Sequence, residues 1–457
     1  MQPILTASEM RAAEESVITA GTSVNTLMDR AGVAIADAVC RYGAGRPVLI
    51  LCGPSNNGGD GYVAAQKLLA RGIAVRVAAF GDPKTPAAQT AKLGWTGPVE
   101  ALSDASSAAV LVDALFGTGL TRPLDIAVSV PLQRLAAAAH FVLAVDVPSG
   151  VSTDDGADLG AVAAHSTVAM GCLKPAHVLQ PSASLCGAID CADIGIPVQS
   201  LTSVLQRPYL AAPSAISHKY SRGLVAVVVG KMRGAALLCA SAAQRAGAGY
   251  CVLVNDFHVD GGSLALVRRT LDEVTADRRT GCIVVGPGLG RDEAASRVVQ
   301  DILSGTLPLV LDADVFSLIT VDSLQRASAS GKPIILTPHD GEFKTLFGWT
   351  YASKIDRARD AAIKSGCVII VKGADTVVAS PCGRVSVART ATSWLSSAGT
   401  GDVLAGIAGA MLARGLDAYA AACAAVWLHG EAGRHAGPAL IADDLLITLP
   451  FALEHCA

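Results

Sequence analysis

Short, unbroken apolar runs that end in polar, glycine-bearing turns recur along this chain and constrain its fold more than any other feature. Arg46 to Gly53, Ile73 to Phe80, Ala109 to Ala114 and Phe141 to Asp146 are of this kind in the first half. Leu224 to Gly230, Tyr250 to Val254, Cys282 to Val285, Leu309 to Asp312, Pro333 to Thr337 and Cys367 to Val371 repeat the pattern in the second. A strand apolar at every position is covered on both faces, as in a parallel sheet with helices on either side. Segments of helical spacing lie between the runs. Thr6-Ala7-Ser8-Glu9 is a capping box opening a helix to about Ala20, and Val24 to Arg41, Tyr62 to Ala70 and Gly234 to Ala246 follow. Two more helices are expected near Leu416 to His435 and Asp443 to His455. The class is α/β, with two doubly wound domains, since 457 residues exceed one typical core.

Residues 196–217, with Pro197, Pro208 and Pro213, read as a linker or as a strap packed on one domain, dividing the chain into 1–205 and 214–457. A hydrophobic fraction of 51% with only 16% charged residues describes a chain with ample core. The net charge of -3, without long runs of one sign, argues against nucleic acid or a membrane surface as partner. Gly, Arg or Asp interrupts the apolar stretches before the roughly 20 residues of a membrane span, and Met1 to Leu5 lacks a signal-peptide pattern. Cys52, Cys251, Cys282 and Cys367 fall inside strand-like runs, and no cysteine pair has zinc spacing. Buried reduced thiols in a cytoplasmic protein are expected.

In the first half three turns arrive at the carboxyl edge of the sheet, where such folds bind ligands. They are Pro54-Ser55-Asn56-Asn57-Gly58-Gly59-Asp60-Gly61, the stretch from Asp113 through Gly117-Thr118-Gly119-Leu120-Thr121-Arg122-Pro123, and Asp146-Val147-Pro148-Ser149-Gly150. Asn57, Asp113 and Ser149 offer hard oxygen ligands, suited to an alkali or alkaline-earth cation. Asn56, Asp60, the 117–123 loop and Asp146 offer donors and acceptors for a polar, phosphate-bearing ligand. Taken singly each Asp reads as a cap or turn residue; three turns converging favour a site. Lys174, after the apolar Thr167 to Met170 run, is expected at the mouth.

NNGGDG, DALFGTGL with its Arg-Pro, DVPSG and LKP, in that order, resemble the NAD(P)H-hydrate epimerase family over residues 1 to about 200. The resemblance implies a Rossmann-like domain that binds the hydrated nicotinamide nucleotide through Asn56, Asn57, Gly58, Gly59, Asp60, residues 117–123 and Asp146. It also implies potassium on Asn57, Asp113 and Ser149. Ala176 stands where the family carries a glycine after LKP.

In the second half the key stretch is Ser397-Ala398-Gly399-Thr400-Gly401-Asp402, which runs into an alanine-rich segment. The first amides of such a helix lack intrahelical partners and attract phosphate, and Asp402 could take a proton from a hydroxyl beside it. Lys372, placed after a buried strand and before Gly373, suits a phosphate; His339 by itself reads as a turn residue. GPGLG, DAD at 312–314, TPHDGEF, KGADT and AGTGD together resemble the ribokinase-like fold, and most closely its NAD(P)H-hydrate dehydratase branch. That resemblance implies nucleotide contacts from Lys372, Gly373, Ala374, Asp375, Thr376 and Gly401. It implies contacts to the hydrated cofactor from Ala235, Gly290, His339 and Asp402. Gly230-Lys231-Met232-Arg233-Gly234 replaces a longer family loop.

The expected chemistry is epimerisation of hydrated NADH and NADPH with Asp146 and Lys174 as acid–base pair. Dehydration of the S form would follow, with Asp402 as base, ADP with Mg2+ as phosphoryl donor, and AMP and phosphate as products. A homo-oligomer is expected. The rival readings are a ribokinase-like sugar or vitamin kinase with an accessory nucleotide-binding front domain, and a front domain that binds or assembles without chemistry.

Overall fold

Strands built from Val, Ile, Leu and Cys at every position must lie between two apolar layers, and the computed structural model, which describes residues 2–255, 261–389 and 392–456, builds two such sandwiches. The chain divides into two compact units, Gln2–Thr202 and Ser203 onwards.

The first unit opens with α1 (Ala7–Thr19), where both bonds of the Thr6–Glu9 capping box form, and α2 (Val24–Gly43), capped by Ser23. It continues through β1 (Val48–Cys52), α3 (Asn56–Ala70), β2 (Val75–Ala79), α4 (Pro86–Gly94) and β3 (Val99–Ala101). After these come β4 (Val110–Ala114), α5 (Ile126–Ala138), β5 (Phe141–Val145), β6 (Ser166–Met170), α6 (Ser182–Leu185) and β7 (Ala188–Ala192). The sheet runs β3-β2-β1-β4-β5-β6-β7, parallel at each pairing. The order reverses at β1, which pairs with both β2 and β4, so the crevice for a ligand opens at their carboxyl ends. Alternate residues of β1 feed opposite cores: Val48, Ile50 and Cys52 pack with α2 and α3, Leu49 and Leu51 with α5.

The NNGGDG segment is helix rather than turn, since α3 begins at Asn56. Its glycines serve close packing. A Cβ on Gly58 would lie 1.9 Å from the Gly53 carbonyl oxygen, on Gly59 2.6 Å from Met28 Cε, and on Gly61 2.9 Å from Ala114 Cβ. Glycine content marks a loop locally, but here tertiary contact overrides propensity.

The second unit comprises β8 (Thr202–Val204), β9 (Leu224–Val228), α7 (Arg233–Arg245), β10 (Tyr250–Val254), β11 (Val267–Arg269), α8 (Leu271–Ala276) and β12 (Thr280–Val285). Next are α9 (Glu293–Ser304), β13 (Leu309–Leu311), α10 (Val321–Ser328), β14 (Ile334–Leu336), α11 (Asp340–Phe347), α12 (Lys354–Ser365) and β15 (Val368–Val371). An antiparallel pair, β16 (Val377–Ala379) and β17 (Val385–Val387), precedes α13 (Thr400–Ala413), α14 (Ala418–Ala436) and α15 (Ala442–Glu454). The sheet order is β11-β10-β9-β12-β13-β14-β15-β16-β17-β8. The stretch 196–217 is no free linker: β8 occupies the sheet edge, Leu205 N donates to Val387 O at 2.9 Å, and Leu210 N to Cys456 O at 2.8 Å. All twelve cysteines are thiols, and Cys52, Cys251, Cys282 and Cys367 are buried as expected. Among the described residues no helix is long and apolar enough to cross a membrane.

Helix α13 is buried along most of its length and meets α7 backbone to backbone: a Cβ on Gly406 would sit 2.1 Å from the Cys239 carbonyl oxygen. Gly234, at the start of α7, faces open space. Gly406→Ala is therefore expected to cost about 1–3 kcal/mol or more by overpacking. Gly234→Ala should be neutral or slightly stabilising, because alanine is the better helix former. Thermal unfolding of the two variants checks this; equal midpoints would refute the close crossing.

Candidate functional site

In the first unit the carboxyl ends of the central strands open onto a cavity of about 380 Å³, lined by Asn56, Asn57, Asp60, Gly117, Thr118, Gly119 and Asp146 with Glu14 of α1. Asp146 leaves β5 with φ +65°, a left-handed conformation that costs a non-glycine residue about 1–3 kcal/mol and is held by its neighbours. Its N–H donates to Val168 O at 2.8 Å. Its Oδ1 accepts from Met170 N at 3.1 Å and from Lys174 Nζ at 2.5 Å. His177 accepts the Lys174 N–H on Nδ1 at 2.9 Å, so its proton sits on Nε2 and is donated to the Asp146 carbonyl at 2.7 Å.

Lys174 is placed differently from expectation. It is 1% exposed, donates also to Met170 O at 2.7 Å, and does not line the cavity. It stands behind Asp146 as countercharge and not at the mouth. Removing one member of such a buried pair costs about 3–5 kcal/mol. Burial, then the charges of Asp146 and Glu14, raise the Asp60 carboxyl well above the usual range. Burial and Asp146 likewise raise Glu14. Three carboxyl groups thus share one cavity, with a single lysine on Asp146.

Asp113 and Ser149 meet beside this cavity, which Asn57 lines. Ser149 Oγ and N donate to Asp113 at 2.6 and 2.9 Å, Leu115 N at 3.3 Å, and Ser149 Oγ accepts from Phe116 N at 2.9 Å. Burial still raises Asp113 against these bonds. Asn57 Nδ2 is buried with no hydrogen-bond partner, and a half-turn of the amide would put its oxygen there instead. An undercompensated buried carboxylate with neutral oxygens around it fits a monovalent cation. Gly58 and Gly59 are packed inside α3, and the cavity as lined does not extend to Leu120, Thr121, Arg122 and Pro123.

In the second unit Asp402 occupies the first turn of α13, after Gly399 at φ +87°. Lys372, just after β15, donates to Asp312 Oδ1 at 2.8 Å and lies 3.8 Å from Glu342 Oε2. A Cβ on Gly401 would fall 3.3 Å from Lys372 Nζ, which places that ammonium at the helix start. Against the cost of burial, Asp312 and Glu342 hold Lys372 above the usual lysine range. Asp402 is pushed up to about 6 by burial and by Asp312, Asp314 and Glu342, with Lys372 pulling the other way. Gly290 N donates to Asp314 Oδ2 at 2.9 Å, and Ala235 adjoins Gly288, whose added Cβ would lie 3.1 Å from that of Ala235. Asp312, Glu342 and Asp402 around one lysine, with Asp314 close by and paired to Arg291 Nε at 2.8 Å, offer hard oxygen donors whose mutual repulsion a divalent cation such as magnesium would relieve.

Some expected contacts serve the scaffold. His339 caps α11, with Nδ1 accepting from Gly341 N at 3.0 Å and Glu342 N at 3.2 Å, which leaves Nε2 on the outer side, 3.4 Å from Glu342 Oε1. The Asp375 carboxylate is buried and accepts from Lys354 Nζ at 2.7 Å. Thr376 Oγ1 closes its own turn on Gly373 O at 2.8 Å. Gly373 and Ala374 can contribute only backbone at this turn.

Compared with known proteins, residues 225–446 match a family described as NAD(P)H-hydrate dehydratase and residues 24–176 one described as YjeF-related protein N-terminus. A bifunctional NAD(P)H-hydrate repair enzyme of Moorella thermoacetica is 33% identical, the match covering 94% of this chain and 92% of that protein. The chain belongs to the bifunctional NAD(P)H-hydrate repair enzymes. The Escherichia coli enzyme of that name is 31% identical over 96% of this chain and 91% of its own. Among solved structures, an ADP/ATP-dependent NAD(P)H-hydrate dehydratase of Bacillus subtilis, co-crystallised with ATP and Mg2+, is 27% identical with a TM-score of 0.46, covering 56% of this chain and 100% of that one. Membership sets aside the sugar or vitamin kinase and the chemically silent front domain: the chain is an enzyme of two activities, epimerase and dehydratase.

Residue-by-residue reading missed His177, Glu14, Asp312, Glu342 and His429. Asp312 and Glu342 stood in quoted motifs, and His177 three positions after Lys174, as local signals. Glu14 and His429 lie far from any motif. His429 Nε2 meets Thr400 O at 2.9 Å, and burial pushes the imidazole down to about 4, so it braces the Gly-Thr-Gly-Asp turn as a neutral donor.

A carboxyl group raised in the folded state destabilises the fold wherever it is ionised. Asp402→Asn should therefore be more stable than the parent at neutral pH. The gain should shrink as pH falls through about 6 and vanish below the unfolded value near ~4. Denaturant midpoints of the two proteins across this window check it; a gain independent of pH would mean that Asp402 does not titrate there.

Proposed function

We propose that the first unit interconverts the R and S forms of hydrated NADH and NADPH, and that the second removes water from the S form with ADP as phosphoryl donor, releasing AMP and phosphate. The observation that carries this is the same in both units: a carboxylate cluster at the carboxyl edge of a doubly wound sheet, with a lysine paired to it.

In the first site the hydrate's hydroxyl sits on a ring carbon next to nitrogen, whose lone pair can expel it. The leaving hydroxyl takes a proton and departs as water, and water returning to the other face gives that proton back. Asp60, whose burial favours its protonated form, is suited to deliver the proton, and Asp146, with Lys174 as countercharge, to receive it. Potassium on Asn57, Asp113 and Ser149 would neutralise the buried Asp113 and tie the turns together. In the second site Asp402 takes the hydroxyl proton as its oxygen attacks the terminal phosphoryl group of ADP. The amides of the helix start and Lys372 stabilise the transferred charge. Phosphate then leaves with the neighbouring C–H proton, restoring the dihydropyridine. Glu342 and Asp314 would hold magnesium, which would screen the phosphates. Thiols throughout suit a reducing, cytoplasmic setting, and a homo-oligomer is the assembly we expect.

Asp146→Asn keeps shape and an acceptor oxygen but removes the charge opposite Lys174 and the proton acceptor, so in the folded variant epimerisation should slow by roughly 10²–10⁴-fold while hydrate binding persists. Chiral separation of the hydrates over time measures it, and near-normal interconversion would reduce Asp146 to a binding residue. Asp402→Ala should abolish recovery of reduced-cofactor absorbance from S hydrate and ADP, leave nucleotide affinity almost unchanged, and spare epimerisation. For the parent, dehydration should fall as pH drops through about 6, where Asp402 takes up a proton. A folded Asp402→Ala protein that still dehydrates at the parent rate would refute the assignment.

A further inference from the structure

Near the carboxyl end of α14, beginning two residues beyond His429, two helices bring together groups that take no part in the chemistry above. Glu431 and His435 are one turn apart on the same face of α14, and His455 caps the carboxyl end of α15. His435 Nε2 and His455 Nδ1 lie 3.3 and 3.2 Å from the same oxygen, Glu431 Oε1. All three ligand atoms fall within 4.8 Å of one another. The spacing has a definite chemical meaning. Bonds of about 2.0–2.1 Å from a tetrahedral metal to nitrogen and oxygen set its ligands about 3.3 Å apart, which is the separation of each imidazole nitrogen from Glu431 Oε1.

The surroundings agree with a metal site. Arg434 pairs with the second oxygen of Glu431, leaving Oε1 for the imidazoles, as an outer partner orients a ligating carboxylate. The two imidazole rings are tilted by 45° with centroids 5.3 Å apart, converging without stacking. Thr448 Oγ1 donates to Ala432 O at 2.9 Å and locks α15 on α14 beside the cluster. Glu431 is buried, while the side chains of His435 and His455 are 36% and 50% exposed, so an ion can enter from solvent and keep a water ligand.

We propose that Glu431, His435 and His455 form a binding site for a borderline divalent cation of the zinc class, with an open fourth position, that clamps the last helix to α14. Two imidazoles and one carboxylate suit zinc, cobalt or nickel and discriminate against magnesium and potassium, which prefer all-oxygen sites. The proposal is independent of the functional reading above.

The test titrates the full-length protein, stripped with chelator and kept reduced, with Zn2+ by calorimetry and with Co2+ by visible absorption. One saturable site per chain is expected, with Co2+ bands of a four- or five-coordinate nitrogen–oxygen site and no thiolate charge-transfer band, and a raised Tm on binding. His435→Ala and His455→Ala, at half-exposed positions, should each abolish the saturable site and leave the metal-free Tm unchanged. His455→Gln, which keeps most of the volume, serves if the alanine variant folds poorly. Absence of a saturable Zn2+ site in the parent would overturn the proposal, leaving only hydrogen bonds from the histidines to Glu431. A site that survives in both variants, or shows a thiolate band, would also overturn it by placing the metal on cysteines.

Discussion

Backbone-to-backbone contact at the carboxyl edges of the two sheets governs what is built there. A Cβ on Gly53 would lie 1.7 Å from Leu115 O, on Gly230 2.2 Å from Leu289 Cα, and on Gly286 1.8 Å from Asp312 O. Side chains at these points would push apart the loops that carry Asn57, Asp113, Ser149 and Asp312. Glycine is needed because neighbouring turns must approach more closely than any Cβ permits. Gly286, at φ +125°, also needs a conformation that other residues rarely adopt.

With the turns brought together, the two units treat buried charge differently. In the first, Lys174 and Asp146 form a closed pair whose remaining bonds go to Met170 and, through His177, to the Asp146 carbonyl. Such a pair fixes geometry at a desolvation cost, so its value lies more in position than in stability. In the second, one lysine serves several carboxylates. Lys372 is committed to Asp312, itself bonded by Thr337 Oγ1 at 2.7 Å, and Asp402 is left undercompensated. That imbalance places Asp402 near neutrality, where a general base works best. The same deficit of positive charge makes the edge receptive to a cation accompanying phosphate.

The scaffold for these charges consists largely of small residues. Alanine and glycine along α13 let it sink against α7 and β12, and α14 then covers it, with His429 reaching back to Thr400. A helix start held from beneath by a neutral imidazole keeps its amides aimed outward without adding charge that would compete with Lys372.

How much of this was legible follows from the range of each interaction. Strand runs, capping of α1 by Thr6, and the convergence of turns on two edges depend on local pattern, and the chain written out determines them; so does family, carried by motifs such as DVPSG and GTGD. What it could not show depended on residues far apart in sequence. NNGGDG looks like a loop until Gly53, Met28 and Ala114 press against it, which makes it helix. Lys174 and Asp375 look like ligand contacts until Asp146 and Lys354 claim them. Glu14 joins the first cavity, and His455 meets Glu431, because folding ignores the intervening chain. The sequence by itself determined the architecture, the family and the candidate carboxylates. Only the tertiary structure decided which side chains line a cavity and which are tied into the scaffold, because burial and ion pairing depend on neighbours in space.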